Sequence, residues 1–176
     1  MKRINRRKEE EFVQSYEKYS EAIFRHCYYR VFDREKAKDF AQEAFFRTWK
    51  YISEGKEVDN IRAFVYRTAN NLIIDESRKK KAISLDAIME KGVTPKVDES
   101  NVAEKKFAGQ ELLRVVNALD EKYRDVIIMK YIDGFSSKEI AKVLGEEENN
   151  IYVRLHRGLE KAKEIIKREN ERRQIS

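Results

Sequence analysis

The sequence predicts an all-α chain of two small helical domains joined by a linker, the second domain ending in a helix-turn-helix. Three observations predict it. The 176 residues include only 6 Gly and 1 Pro, too few for the frequent tight turns of an all-β sandwich. Apolar residues recur at helical spacing through both halves of the chain. Between the halves, residues 82–101 lose that period and contain the single proline, Pro95. The expected boundaries are therefore 1–81, 82–101 and 102–176.

The first helical run carries Phe12, Tyr16, Tyr19, Ile23 and Cys27 on one face. It ends in Arg30-Val-Phe-Asp33, and Asp33 can cap the next helix. The second run turns Ala37, Phe40, Ala41, Ala44, Phe45, Thr48, Trp49 and Ile52 inward. Its other face holds Lys36, Asp39, Gln42, Glu43, Phe46 and Arg47, and Gly55 stands where a helix stop belongs. The third run begins after Asp59 and Asn60. It places Ile61, Phe64, Val65, Thr68, Ala69, Leu72 and Ile73 inward and ends in Arg78-Lys-Lys-Lys81. By itself that basic end reads as a solvated helix terminus, where cations favour the dipole.

The linker is rich in turn and cap formers, Ser84, Asp86, Thr94, Asp98, Ser100 and Asn101. Its Ile83, Leu85, Ile88 and Met89 are apolar enough to dock. Beyond it, a helix from about Val102 to Ala118 turns Leu112, Val115, Val116 and Leu119 inward. Asp120 can cap the next, which carries Tyr123, Val126, Ile127, Met129, Lys130 and Tyr131 and breaks at Asp133-Gly134. Ser136-Ser-Lys-Glu139 has the spacing of a capping box. Ile140, Ala141, Val143 and Leu144 form the inner face that follows, and Gly145 closes it. After Glu146-Glu-Glu148 a long helix begins near Asn149, with Ile151, Leu155, Leu159, Ala162 and Ile166 inward.

This last pair of helices has the size and turn of a helix-turn-helix. The outer face of the second helix can enter a major groove. Asn150, Tyr152, Val153, Arg154, His156, Arg157 and Lys161 lie there. Asn and Arg can read adenine and guanine edges through two hydrogen bonds each, and the remaining cations can neutralise phosphates.

Composition excludes other classes. An apolar fraction of 41% is ordinary for a globular chain and argues against disorder throughout. Cys27 is the sole cysteine, so no disulfide scaffold exists, and a lone thiol suits a reducing compartment. His26, Cys27 and His156 lack metal-ligand spacing. There is no Gly-rich phosphate loop and no nucleophile-base constellation. The expectation is no enzyme, no cofactor and no metal. The basic start Met1–Lys8 is followed by Glu9–Glu11 where a signal peptide would be apolar. No window approaches the ~20 apolar residues of a membrane span. Without membrane insertion, a cytoplasmic location is expected. The net charge is +6, which suggests a polyanionic partner only if the excess is concentrated somewhere.

With these residues placed, the chain resembles the small two-domain sigma factors of bacterial RNA polymerase, of the extracytoplasmic-function type, over nearly its whole length. Asp33–Trp49 is similar to the family's polymerase-binding helix, with its Asp-x-x-Gln-Glu-x-Phe-x-x-x-Trp pattern. Ile61–Asp75 with Arg78 is similar to the helix that melts and reads the upstream −10 promoter element. Leu119–Gly145 resembles the second domain, and Arg154-Leu-His-Arg157 the end of its −35-reading helix.

The resemblance implies a transcription initiation subunit whose partners are core RNA polymerase and promoter DNA, with an anti-sigma factor as an optional further one. It implies polymerase binding by Asp39, Gln42, Glu43 and Phe46. It implies −10 contacts by Arg62, Tyr66, Arg67, Asn70, Asn71, Arg78, Lys79 and Lys80. It implies −35 contacts by Ser136, Asn150, Tyr152, Val153, Arg154, His156 and Arg157. Residues 62–81 hold six cations against two acids, which makes the basic helix end a DNA-facing one. The chain departs from the family at Asp120, at Asn70, and at Glu146–Glu148, where three acids would repel phosphates. That acid run favours the alternative of a sigma-like mimic that titrates an anti-sigma factor without promoter binding.

Overall fold

A computed structural model describes residues 6–86 and 103–174, with the side chains of 6–80 and 111–171. Every regular element among the described residues is helical. The chain divides into two compact units, 1–96 and 97–176.

In the first unit α1 (Arg6–Val31), α2 (Arg34–Ser53) and α3 (Ile61–Asp86) pack each against the other two. Ala37, Ala41 and Ala44 lie buried along one face of α2 and let the neighbouring backbones approach. Ile23, Cys27, Phe45, Ile52, Val65 and Ile73 fill the space between the helices. Aromatic contacts extend the core toward the start of α1. Phe12 lies 5.0 Å from Trp49, and Tyr16 lies 4.9 Å from Phe45, centroid to centroid. Asp33 caps α2 as expected, accepting from the Lys36 amide at 3.0 Å. Phe32, just before it, has a left-handed φ of 52°. That conformation is unfavourable for a residue with a Cβ, and burial of the ring in the core offsets it. Asn60 begins α3 by accepting from the Ala63 amide at 3.0 Å.

The end of the third helix overlaps the start of the expected linker, 82–101. The backbone of α3 stays helical through Asp86, because 82–86 contain no Gly or Pro to stop it. The rest of the linker, with Ile88, Met89 and Pro95, lies outside the described residues.

In the second unit α4 (Ala103–Ala118), α5 (Glu121–Ile127), α6 (Ser137–Leu144) and α7 (Glu148–Gln174) surround a core of Val116, Leu119, Val126, Ile128, Met129, Ile140 and Ile151. A helix's last carbonyls need donors from elsewhere, and Arg124 supplies them to the end of α4. Its guanidinium donates to the carbonyls of Val116, Asn117 and Leu119, each at 2.9 Å. Asp120 holds the cap position of α5, but its side chain does not cap; it pairs with Lys161 at 3.4 Å. The chain then widens into a π-helical turn at Ile128–Ile132. This extra residue per turn shifts the expected face. Ile128 is buried, while Tyr131 is 57% exposed. Leu112 and Ile166, both expected inside, are 40% exposed, because the inward stripes of α4 and α7 are narrower than their apolar patterns.

The capping box of α6 forms in both directions, and Gly145 ends the helix with φ 70°. Gly158 has a different role. A Cβ there would stand 3.0 Å from Ile127 Cγ1 and 3.3 Å from Tyr123 Cβ. Gly158→Ala, which in an open helix would gain about 1 kcal/mol, is therefore expected to lose about 1 kcal/mol through overpacking. A urea melt of the full chain checks the sign.

Candidate functional site

The outer side of α2 carries one stripe. Asp39, Gln42 and Phe46 are exposed, Glu43 is half-buried, and Phe46 is 60% exposed. Glu43 accepts from Arg47 Nε at 2.6 Å, which leaves Phe46 with a charged but locally paired border. A large exposed aromatic within a polar rim is the composition of a protein-docking anchor.

The outer side of α3 is of another kind. Arg67, Asn71, Arg78, Lys79 and Lys80 are all exposed. Arg62 is half-buried, its guanidinium 5.8 Å from the Tyr19 ring centroid and 5.7 Å from that of Tyr66. Beside it opens a polar cleft of about 400 Å³, lined by Lys18, Tyr19, Asp59, Asn60 and Arg62 among others. The loop between α2 and α3, which supplies part of this wall, was not singled out by the sequence.

Two residues expected on the DNA-facing side are not there. Tyr66 and Asn70 are each 1% exposed. The Tyr66 ring meets His26 edge-on at 4.9 Å. Asn70 Oδ1 accepts from Arg30 Nη1 and lies 3.2 Å from His26 Nε2. Since Arg30 can only donate, the oxygen of the amide must face it. The reason is geometric. Both α1 and α2 pack on α3, so its buried sector is wider than one apolar stripe and takes in the 66/70 row. His26 and Arg30 are the partners that make burial of an amide tolerable. They lie 44 and 40 residues earlier in the chain.

In the second unit the first turns of α7 present Asn150, Tyr152, Val153, His156 and Arg157 to solvent. Asn149, absent from the expected set, is exposed beside them. Arg154 is a correction. Its side chain is 19% exposed, paired with Glu146 and donating to the Lys122 carbonyl at 2.7 Å. It ties α7 to the start of α5 and to the preceding turn, and it does not stand ready for a base edge. Ser136 is exposed, but its hydroxyl is held in the capping box: it donates to Glu139 Oε2 at 2.7 Å and accepts from the Glu139 amide at 3.2 Å. Lys161 faces Asp120 and the Tyr123 ring.

These pairings change the meaning of the acid run. Glu146 is neutralised by Arg154, and Glu148 accepts from the Tyr152 hydroxyl at 3.3 Å. Glu147 is exposed. Among the described residues no group of three or more His, Cys, Asp or Glu could hold a metal ion. No helix there is long and apolar enough to cross a membrane.

Comparison with known proteins follows the same division. Residues 15–83 match sigma-70 region 2 and residues 109–161 match sigma-70 region 4. The extracytoplasmic-function sigma factor SigW of Bacillus subtilis is 31% identical over 174 residues, covering 91% of each chain. SigL of Mycobacterium tuberculosis, of the same type, is 28% identical over 80% of each chain. The fold is similar to that of the sigma factor RpoE of Bartonella quintana, solved with the anti-sigma factor NepR. The TM-score is 0.70 at 19% identity, covering 89% of this chain and 97% of that one.

Proposed function

Because the chain belongs to the extracytoplasmic-function sigma factors of bacterial RNA polymerase, within the sigma-70 family, we propose that it is an alternative sigma factor. It binds core polymerase and directs it to promoters in the cytoplasm. The observation that carries this reading is the separation of two faces on unit 1. Phe46 and its polar border lie on α2, and the cationic, Asn-bearing strip lies on α3. A mixed acidic and aromatic stripe suits a protein surface. Exposed Arg, Lys and Asn suit an unpaired strand, the cations on its backbone and Asn71 on its bases.

In this reading Asp39, Gln42, Glu43 and Phe46 dock on the polymerase. Arg62, Arg67, Asn71, Arg78, Lys79 and Lys80 hold the opened −10 strand, and the cleft beside Arg62 is shaped to receive an unstacked base. Asn150, Val153, His156 and Arg157 enter the −35 major groove, with Tyr152 at its edge. Val153 offers the apolar contact that a thymine methyl takes. Arg154 supports this surface from behind. The chain supplies no chemistry of its own; nucleotide transfer stays with the core enzyme. A protein of the anti-sigma class is a natural antagonist, since covering the two faces of unit 1 would silence it.

The acid run is weak support for a promoter-blind mimic, because two of its three carboxylates are engaged within the unit. Mixing the chain with core bacterial polymerase and a random-promoter library decides between the readings. A sigma factor enriches a defined promoter class among the transcripts. Core binding without enrichment would favour the mimic, and absence of core binding would remove the sigma reading.

A further inference from the structure

The −35 set implied by the sequence holds Asn150 and leaves out Asn149. The fold reverses their weight. Ile151 and Leu155 are buried, and Gly158 stands so close to α5 that a Cβ there would lie 3.0 Å from Ile127 Cγ1. These three residues mark the inner side of α7. A helix turns about 100° per residue, so positions 149 and 153 lie nearly opposite that side, while Asn150 and Tyr152 fall on the two flanks. All four side chains are exposed.

The crest of the helix is thus an amide and an isopropyl group one turn apart. On the flank, the Tyr152 hydroxyl donates to Glu148 at 3.3 Å. On the next turn, His156 Nδ1 lies 3.5 Å from Glu160 Oε2. Asn149 and Val153 carry no charge, so neither adds to the attraction for phosphates. Their chemistry suits base edges. An Asn amide donates to adenine N7 and accepts from its N6 amino group, and an aliphatic side chain favours the thymine methyl. Four residues of helix advance about 6 Å and successive base pairs about 3.4 Å, so the two side chains reach bases within about two steps of each other. Reading a base by hydrogen bonds needs a helix held in place. Arg154 supplies that hold from beneath, donating to the Lys122 carbonyl at 2.7 Å and pairing with Glu146.

Resting on the promoter-binding reading above, we propose that Asn149 and Val153 set the −35 preference of this chain. Asn149 pairs with an adenine, and Val153 covers the methyl of a thymine within about two base pairs of it.

The test uses holoenzyme assembled on core polymerase and a duplex promoter from the class that the random library enriches. The −35 element is scanned base by base with two analogues. An adenine with carbon in place of N7 lacks the acceptor, and deoxyuridine lacks the thymine methyl. At one adenine the first analogue is expected to weaken wild-type binding about fivefold, the loss of one hydrogen bond. Asn149→Ala is expected to weaken the unmodified promoter about tenfold and to be indifferent to that analogue. At one thymine nearby, deoxyuridine should cost the wild type about fourfold, the value of one buried methyl, and cost Val153→Ala nothing further. The salt dependence of affinity, core binding and the melting temperature should stay at their wild-type values in both variants. Analogue losses of equal size in wild type and variant would overturn the proposal, since the side chain would not be touching that atom. So would a slope of log affinity against log salt that is shallower by about 0.9 in Asn149→Ala, the mark of one duplex phosphate, or a melting temperature that falls with the affinity. If wild-type holoenzyme enriches no promoter, the sigma reading itself fails; if it enriches a class and no −35 adenine or thymine shows this dependence, only this inference fails.

Discussion

Asn70→Leu is expected to destabilise the first unit by about 3–5 kcal/mol, while Asn71→Ala, one residue on, leaves stability within about 0.5 kcal/mol. Asn70 Oδ1 is the acceptor for the Arg30 guanidinium and lies within hydrogen-bonding distance of His26, all three buried. Leucine fills much of the same volume but accepts nothing. A buried charge then loses an acceptor, and such losses exceed the gain from added apolar contact. For a unit of this size each kcal/mol shifts the melting temperature by about 4–8 °C, so a fall of more than ~12 °C is expected. Thermal melts followed by circular dichroism measure it. Asn71 is exposed on the α3 strip, so Asn71→Ala should instead weaken open-complex formation with core binding retained. Similar stability losses at both positions would mean that the buried triad is not what sets Asn70 apart.

Phe46→Ala is expected to weaken binding to core polymerase by roughly 30-fold or more, equivalent to about 2 kcal/mol, the scale of an aromatic anchor at an interface centre. Phe46 is 60% exposed, so its removal costs the isolated chain little packing. The melting temperature should not move. Adding Gln42→Ala should deepen the loss, since the two are neighbours one turn apart on the same stripe. Titration of labelled chain against core polymerase reads both. A loss below threefold for the pair would place the polymerase contact elsewhere on unit 1.

The same contrast separates what was legible in the sequence from what was not. Asp33, Ser136 with Glu139, and Gly145 announced helix ends, and each acts as read. These signals are local: a cap reaches three residues along the chain, and nothing distant alters it. Asp120 looked equivalent, yet its carboxylate is drawn to Lys161, 41 residues away. The inward stripe of α2 was legible because one helix face suffices to bury small Ala and large Phe45 alike. The sector buried on α3 was not, because it depends on how many helices pack on it. The π-helical turn at Ile128–Ile132 left no pattern in residue type, and Gly158 read as a neutral helix residue until Ile127 stood against it.

The sequence alone therefore determined the helical class, the order and ends of most helices, and the family motifs in their order along the chain. All of these are written in neighbours up to about four residues apart, the reach of a helical turn. Tertiary structure decided which polar residues are inside and which charges meet. Asn70 is a core residue because His26 and Arg30 arrive from α1, Arg154 is a tie because α5 lies beneath it, and Lys161 meets Asp120 because α7 passes the start of α5. The +6 of the whole chain acquires its meaning from those meetings. Charge acts through space at short range in salt, so Lys161 and Asp120, 41 places apart in sequence, pair only once the helices have packed.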